Sequence, residues 1–390
     1  MNLRQRVENE FRNRFGRSPE IIVRAPGRVN LLGAHVDYNE GWVLPAATEQ
    51  AVWLAAAAAD DGVVTIRAID FDGAEATFSL EDLPPRDNAG PVSWSDYPRG
   101  VAWVLRNAGC SVRAIDVVFA GDVPIGAGVS SSAAVEVAFL TTWNAMGRLG
   151  LNALQLAQLG QQTENQYIGL ASGIMDQFAS VHAAENQLVL LDCRTLQHEL
   201  IPFPSQTAIL VADSGVRREL ANSEYNVRRS QCDEAVALLQ PHLPHIRTLR
   251  DVSLDDFELN AHHLPMLLRR RAQHVIQECN RVLNGAELLK RGDLTGFGRL
   301  MRQSHMSSRD LYEVSIPELD LLASTAWEVE GCYGARLTGA GFGGCVVILS
   351  EACAMDRLAE KLHDAYRAVH SRSPRIFHTR AANGARAIAP

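Results

Sequence analysis

The chain has 390 residues, of which 47% are hydrophobic and 21% are charged, as in ordinary globular proteins. This length exceeds that of one typical hydrophobic core, so we expect two domains. The formal net charge of −8, with no basic block, disfavours nucleic acid or an anionic membrane as the main partner.

The cysteines and the hydropathy pattern indicate a cellular compartment. The seven cysteines form no Cys-x-x-Cys pair and their number is odd, so we expect reduced thiols. The chain is charged from Arg4 onward, and no apolar run reaches the length of a membrane span. The pattern therefore predicts a soluble cytoplasmic protein that binds neither nucleic acid nor membrane.

The first 41 residues predict a helix, a strand and a polar loop. Apolar residues at helical spacing predict an amphipathic helix over residues 2–15 that ends at Gly16, and residues 21–24 predict a strand. The polar side chains that follow among glycines are Arg28, Asn30, His35, Asp37 and Asn39. Loops supported by strands often carry binding groups, so this composition favours a site over an exposed turn.

Residues 43–72 alternate as strands do, with a hairpin turn predicted at Asp60-Asp61-Gly62. A helix is predicted over residues 94–107. The apolar run 115–119 predicts a strand, and residues 135–146 predict a helix.

The turn between that strand and that helix is rich in glycine and serine. Gly126 and Gly128 have no Cβ atom, so main-chain N–H groups can face a phosphate there. Ser130, Ser131 and Ser132 fall at a helix N-terminus, where an anion is stabilised. Serines also cap ordinary helices, so this turn alone leaves a phosphate site and a structural turn equally open. It is neither a Walker A loop nor a dinucleotide fingerprint, because it lacks their lysine and third glycine.

Two carboxylates follow this turn. Residues 153–167 predict a helix that contains Glu164 near its end, and Asp176 lies in the first turn of a helix that runs to His182. At a helix start the macrodipole alone stabilises a carboxylate. In a phosphoryl-transfer site Asp176 would instead orient or deprotonate the acceptor hydroxyl. Glu164 offers the hard oxygen ligand that magnesium prefers.

The second half predicts strands at 188–191 and 208–212, a charged helix over 219–239 and two amphipathic helices within 262–310. Residues 335–349 form a glycine-rich loop that enters a buried strand. The histidines in this half lack the spacing of zinc ligands, so no zinc site is expected.

Five segments, taken in order, resemble motifs of the galactokinase branch of the GHMP sugar and isoprenoid kinases. They are residues 27–39, 124–134, 173–177, 223–229 and 338–345. The resemblance spans nearly the whole chain and implies a two-lobed α/β fold in which mixed sheets pack with helices. An N-terminal lobe (1–185) would hold the sugar motif (residues 27–39) and the phosphate loop (residues 124–134), a GHMP-type lobe (186–390) would follow, and the active site would lie between them.

The resemblance implies ATP- and Mg²⁺-dependent phosphorylation of the C1 hydroxyl of a galactose-like sugar. Asp176 would be the base or orienting group, and Arg28 would keep it ionised and offset charge on the phosphoryl group. Ser132 and Glu164 would bind Mg²⁺. The residues of the implied phosphate cradle are Pro124, Gly126, Gly128, Ser130, Ser131, Ser132 and Ala133. The residues of the implied sugar pocket are Ala34, His35, Asp37, Gly173 and Tyr225.

One position departs from the family pattern. Galactokinases usually carry Glu, which contacts the C6 hydroxyl, where this chain has Ala34, and Thr where it has Val36. The missing carboxylate leaves three acceptors open: galactose through a bridging water, galacturonate, and L-arabinose, which lacks C6. Galactose is favoured because the flanking sequence is fully galactokinase-like.

A sugar-sensing regulator that binds sugar and ATP without transfer is a second class of function that such a sequence allows. Regulators of this kind are disrupted near the phosphate-loop serines. Here Ser130–Ala134 is unbroken, and both Arg28 and Asp176 are present, which favours an enzyme. A monomer or a weak homodimer is expected.

Overall fold

The computed structural model describes residues 1–87, 90–204, 206–217 and 221–390, and side chains throughout these ranges except at 221–223. The described α-helices are α1 (Leu3–Phe15), α2 (Asp96–Asn107), α3 (Ser131–Gly147), α4 (Ala153–Gln162), α5 (Met175–His182), α6 (Ala221–Leu239), α7 (Leu254–Asn260), α8 (Met266–Lys290), α9 (Leu294–Asp310), α10 (Pro317–Trp327) and α11 (Met355–His370). The predicted start of one helix, at residues 219–220, lies outside the described residues.

The described strands are β1 (Ile21–Asn30), β2 (Trp42–Val43), β3 (Pro45–Ala58), β4 (Val63–Ala68), β5 (Ala74–Ser79), β6 (Ile115–Gly121), β7 (Gln187–Asp192), β8 (His198–Pro202), β9 (Thr207–Asp213), β10 (Cys332–Thr338), β11 (Cys345–Glu351), β12 (Arg375–Thr379) and β13 (Arg386–Ile388). Within the described ranges they form three sheets, with the orders β13-β1-β3-β6-β4-β5, β10-β11-β9-β12 and β2-β7-β8. All pairs are antiparallel except β4 with β6.

Helices cover both faces of the first sheet. On one face, Val7 and Phe11 of α1 pack on Ala55 and Val118. On the other, α3 packs on alternate residues of the same strands, such as Leu54. This alternation is that of a strand buried on both faces. Helix α1 ends at Gly16, at φ +65°, as the sequence predicts, and an Asn2 capping box begins it.

The second sheet, formed by β9–β12, is also buried. Helices α6, α8, α10 and α11 contribute to a second core around Leu210, Leu337 and Ile348. The fold class is therefore the predicted one: mixed sheets packed with helices. The lobe boundary after residue 185 stays a prediction, while β13 at the chain's far end pairs with β1 of the first sheet.

Two sequence predictions about the first sheet are wrong. Asp60-Asp61-Gly62 is not a hairpin turn, because β6 lies between β3 and β4. The hairpin in this region is instead formed by the consecutive antiparallel strands β4 and β5. The first predicted strand also ends too early: β1 continues to Asn30 past a register shift between Pro26 and Arg28. Arg28 therefore projects from a strand rather than from a loop.

None of the helices in the described part of the chain combines the length and apolar character that a membrane span requires.

Candidate active site

A cavity of about 340 Å³ is lined by segments that are far apart in sequence. The first sheet contributes β1 and the loop that follows it, and α3 contributes its N-terminal turn. The second sheet contributes the loop between β10 and β11. The predicted site residues that line it are Arg28, His35, Asp37, Gly126, Gly128, Ser130, Ser131, Ser132, Glu164, Gly173, Asp176 and Tyr225.

Arg28 and Asp176 form a two-bond ion pair in this cavity. Arg28 Nε donates to Asp176 Oδ1 at 2.8 Å, and Nη2 donates to Oδ2 at 2.9 Å. Arg28 Nη1 donates to the carbonyl oxygen of Gly128 at 2.6 Å. The planar guanidinium fork suits this geometry. One buried side chain thus joins the candidate catalytic carboxylate to the phosphate loop.

Ser130 does not act as an ordinary cap of α3. Its φ is +61°, and its side chain makes no capping hydrogen bond. The hydroxyl donates instead to Asp176 Oδ2. Strained conformations of this kind persist where surrounding contacts hold them and are frequent at functional sites. The serine at the cap position therefore bonds the candidate catalytic residue rather than the helix backbone, and the phosphate site stays a prediction.

The phosphate loop packs backbone to backbone against the glycine-rich loop 339–344. A Cβ atom on Gly128 would lie 2.8 Å from the carbonyl oxygen of Thr338, and one on Gly339 would lie 2.6 Å from Gly128 Cα. Gly126 and Gly128 have φ values of +66° and +78°. These glycines allow a close approach that a side chain would prevent.

Glu164 lies in a π-helical turn, Thr163–Ile168, that continues α4. Such turns are rare and often occur at functional sites. The carboxylate accepts hydrogen bonds from Ser132 Oγ at 3.2 Å and Ser172 Oγ at 2.5 Å. Burial and, secondly, the nearby Asp176 carboxylate raise the pKa of Glu164. A buried carboxylate and a hydroxyl facing each other match the hard oxygen ligands of Mg²⁺, and a cation would relieve this charge.

Three residues predicted to bind the sugar, Asp37, Gly173 and Tyr225, line the same cavity, and the part that they line is called the predicted sugar end. A Cβ atom on Gly173 would lie 2.1 Å from Asp37 Oδ2, so only glycine leaves room for this carboxylate. Burial and, to a lesser extent, Asp176 raise the pKa of Asp37 to about 6. This half-buried carboxylate faces the cavity and can accept hydrogen bonds from sugar hydroxyls.

His35 has a positive φ of +56° and uses both ring nitrogens within the protein. Nε2 lies 3.0 Å from the carbonyl oxygen of Ala340, and Nδ1 lies 3.0 Å from Tyr38 Oη, which in turn lies 2.7 Å from Tyr312 Oη. Burial lowers the pKa of His35 to about 3, so the ring is neutral. Its Nε2–H therefore donates to Ala340, and its Nδ1 accepts from Tyr38.

Three predicted site residues do not line the cavity. Ala34 and Ala133 are buried, with exposed fractions of 3% and 0%, and Pro124 is buried as well. Sequence reasoning in turn missed Arg217, whose Nε donates to the carbonyl oxygen of Ile125 in the phosphate loop. It also gave residues 339–344 no position in the site. The glycine density of that segment was the available signal.

Comparisons with known proteins identify the class to which this chain belongs. Residues 9–58 match the galactokinase galactose-binding signature, residues 96–184 match the GHMP kinases N terminal domain, and residues 286–368 match the GHMP kinases C terminal domain. The fold resembles that of the Methanococcus jannaschii mevalonate kinase, with a TM-score of 0.65, 18% identity, and coverage of 94% of this chain and 100% of that one. The chain is thus a kinase of the GHMP class.

More similar proteins narrow the family. The galactokinase of Roseiflexus sp. (strain RS-1) is 45% identical to this chain, and the match covers 97% of this chain and 95% of that galactokinase. The galactokinase of Chloroflexus aurantiacus is 42% identical, and the match covers 91% of this chain and 90% of that galactokinase. The structure of Lactococcus lactis galactokinase complexed with galactose has a TM-score of 0.93 and 33% identity, covering 97% of this chain and 98% of that one. The chain belongs to the galactokinase family and is a sugar kinase.

Proposed function

We propose that this protein transfers the γ-phosphoryl group of ATP to the C1 hydroxyl of D-galactose. The observation that carries the proposal is the Arg28–Asp176 pair, which lines the same cavity as the phosphate loop and the residues predicted to bind the sugar. A carboxylate there can orient or accept the proton of a hydroxyl that attacks phosphorus. The guanidinium can offset negative charge on the transferred group.

The phosphate loop would bind the triphosphate through main-chain N–H groups at the start of α3. Ser132 and Glu164 would hold Mg²⁺, which neutralises charge on the phosphates when bound. Ser130 donates its hydroxyl to Asp176 and so helps to hold that carboxylate beside the reacting groups. Loop 339–344 packs on the phosphate loop and also lines the cavity.

Galactose is the acceptor favoured by the family. The galactose-binding signature matches residues 9–58, a range that includes Ala34, and the relatives named above are galactokinases. Asp37 and Tyr225 supply hydrogen-bonding groups at the predicted sugar end regardless of residue 34. No comparable observation supports galacturonate, L-arabinose or a sensor without transfer.

Initial rates with ATP and magnesium would test the proposal on D-galactose, D-galacturonate, L-arabinose and D-glucose. We expect galactose to have the highest kcat/KM by at least about tenfold, because a buried polar group left unpaired by the wrong sugar is costly. If kcat/KM were higher for galacturonate or L-arabinose than for galactose, that sugar would be the acceptor instead. Saturable ATP binding without any turnover would contradict an enzymatic function.

The pKa of Asp37 leads to a prediction about pH. Because the carboxylate form accepts sugar hydroxyls and its pKa is raised to about 6, protonation below that pH removes an acceptor. We expect kcat/KM for galactose to fall as pH decreases through about 6, approaching tenfold per pH unit. Asp37→Asn should lower kcat/KM and abolish this limb of the profile. An unchanged limb in that variant would assign the titration to another group.

A further inference from the structure

The peptide groups of Gly33 and Ala34, shortly before Asp37, are held by side chains rather than by neighbouring backbone. The N–H groups of Gly33 and Ala34 both donate to Glu278 Oε1, at 2.9 and 3.0 Å. The carbonyl oxygen of Ala34 accepts from His274 Nε2 at 3.0 Å. Glu278 and His274 both belong to α8, about 240 residues further along the chain.

The local conformation explains why these side chains are needed. Gly33 and His35 have φ values of +99° and +56°, so this segment continues neither the strand before it nor a helix. Buried backbone groups in such a turn need partners from elsewhere. A Cβ atom at Gly33 would also lie 2.8 Å from the carbonyl oxygen of Trp42. External contacts therefore fix the direction in which the chain enters His35 and Asp37.

The two oxygens of Glu278 have different partners. Oε2 accepts from Arg281 Nε at 2.6 Å within the same helix, whereas Oε1 accepts from the two loop N–H groups and from Ser304 Oγ at 2.6 Å. Burial would raise the pKa of this carboxyl, but Arg281 and Arg336 hold it below its usual range. Glu278 is thus a fully buried anion, and hydrogen bonds to a charged acceptor are the stronger kind.

We propose that Glu278 is a positioning residue for the sugar pocket, which it shapes by holding the peptide groups before His35 and Asp37. This proposal rests on the proposed function only in naming the sugar. The phosphate loop is held by separate contacts: the N–H of Arg28 donates to the carbonyl oxygen of Val129 at 3.0 Å, and loop 339–344 packs on Gly128. Loss of the Glu278 contact should therefore weaken sugar binding without an equal effect on ATP.

Glu278→Gln keeps the volume but removes the charge. An amide cannot satisfy both sides, since its NH₂ group would face either Arg281 or the two loop N–H groups, all of which are donors. We expect KM for galactose to rise about tenfold, with KM for ATP and kcat each changing less than about threefold. Galactose affinity measured by calorimetry, without turnover, should fall by the same factor.

A second variant separates the effect of the negative charge at residue 278 from the effect of its side-chain length. Glu278→Asp retains the negative charge but shortens the side chain, so the loop contact should be lost and KM for galactose should rise as in Glu278→Gln. Ser304→Ala is the matched control, because Ser304 donates to the same oxygen, and its hydroxyl makes no hydrogen bond to residues 33–37 among the described contacts. We expect its KM for galactose to stay within about twofold of wild type, even if its melting temperature falls.

Melting temperatures would establish that each variant is folded at the assay temperature. Equal rises in the KM values for galactose and ATP, or an unchanged galactose KM in folded Glu278→Gln, would overturn the proposal. If the wild type prefers another sugar, the proposed acceptor fails, and the same comparison is made on the preferred sugar. A failure of the positioning role is thereby distinguishable from a failure of the proposed function.

Discussion

Replacing Asp176 with Asn is expected to lower kcat by between about 10² and 10⁴-fold, the range that general acid–base groups contribute. The amide has similar size but cannot accept a proton from the C1 hydroxyl, and it brings no negative charge to orient that group. It also leaves the guanidinium of Arg28, whose side chain is 5% exposed, without its anionic partner. Both effects act on the step that transfers the phosphoryl group.

ATP affinity should change less than kcat in this variant, because the amide oxygen can still accept the hydrogen bond from Ser130 of the phosphate loop, and the Ser132–Glu164 pair lies on other elements. The measurement is kcat from initial rates together with ATP affinity from calorimetry. Asp116→Asn is a suitable control, since Asp116 pairs with Arg17 at 2.8 Å on the surface, away from the cavity. Turnover of Asp176→Asn within tenfold of wild type would remove Asp176 from its catalytic role.

Features that depend on local sequence could be predicted. The spacing of Val7 and Phe11 and the position of Gly16 determine α1, because helix periodicity and caps involve residues within one or two turns. Glycines followed by serines likewise predicted a turn entering α3. The resemblance to a kinase family then brought Arg28 and Asp176 together, although 148 residues separate them in sequence.

Features that depend on distant pairing could not be predicted from the residues alone. The placement of β6 between β3 and β4 follows from which strands bury their faces together, and local turn signals carry no information about it. Ser130 illustrates the same limit, since capping rules predict a local partner whereas its hydroxyl donates to Asp176, 46 residues away. The contact of Glu278 with the N–H groups of Gly33 and Ala34 could not be predicted from the sequence, because a lone Glu in an amphipathic helix usually faces solvent.

The structure assigns Ala34 a different role from the one that its sequence position suggested. The sequence directed attention to the missing carboxylate and its effect on C6 of the sugar. In the structure the residue is buried, and its N–H and carbonyl groups are bound by α8. Residue 34 therefore supports the loop through its backbone N–H and carbonyl groups. Any residue whose side chain fits the available space would offer the same two groups.

The other large effect is expected from Gly128→Ala, which should raise KM for ATP at least about tenfold and lower kcat as well. The added methyl group would lie 2.8 Å from the carbonyl oxygen of Thr338, so one of the two loops must move. The residue also has φ +78°, where an L-residue pays roughly 1–2 kcal/mol. Because Arg28 donates to the carbonyl oxygen of Gly128, this movement reaches the Arg28–Asp176 pair.

Gly292→Ala separates conformational strain from the clash between the loops. Gly292 has φ +75°, close to that of Gly128, but a Cβ atom there would meet nothing within 4 Å. Both variants should lose thermal stability through the strained backbone, while only Gly128→Ala should lose ATP affinity. Melting temperature, KM for ATP and kcat measured on both variants test this. If Gly128→Ala retained wild-type ATP affinity, the close packing of the two glycine loops would not be what shapes the phosphate site.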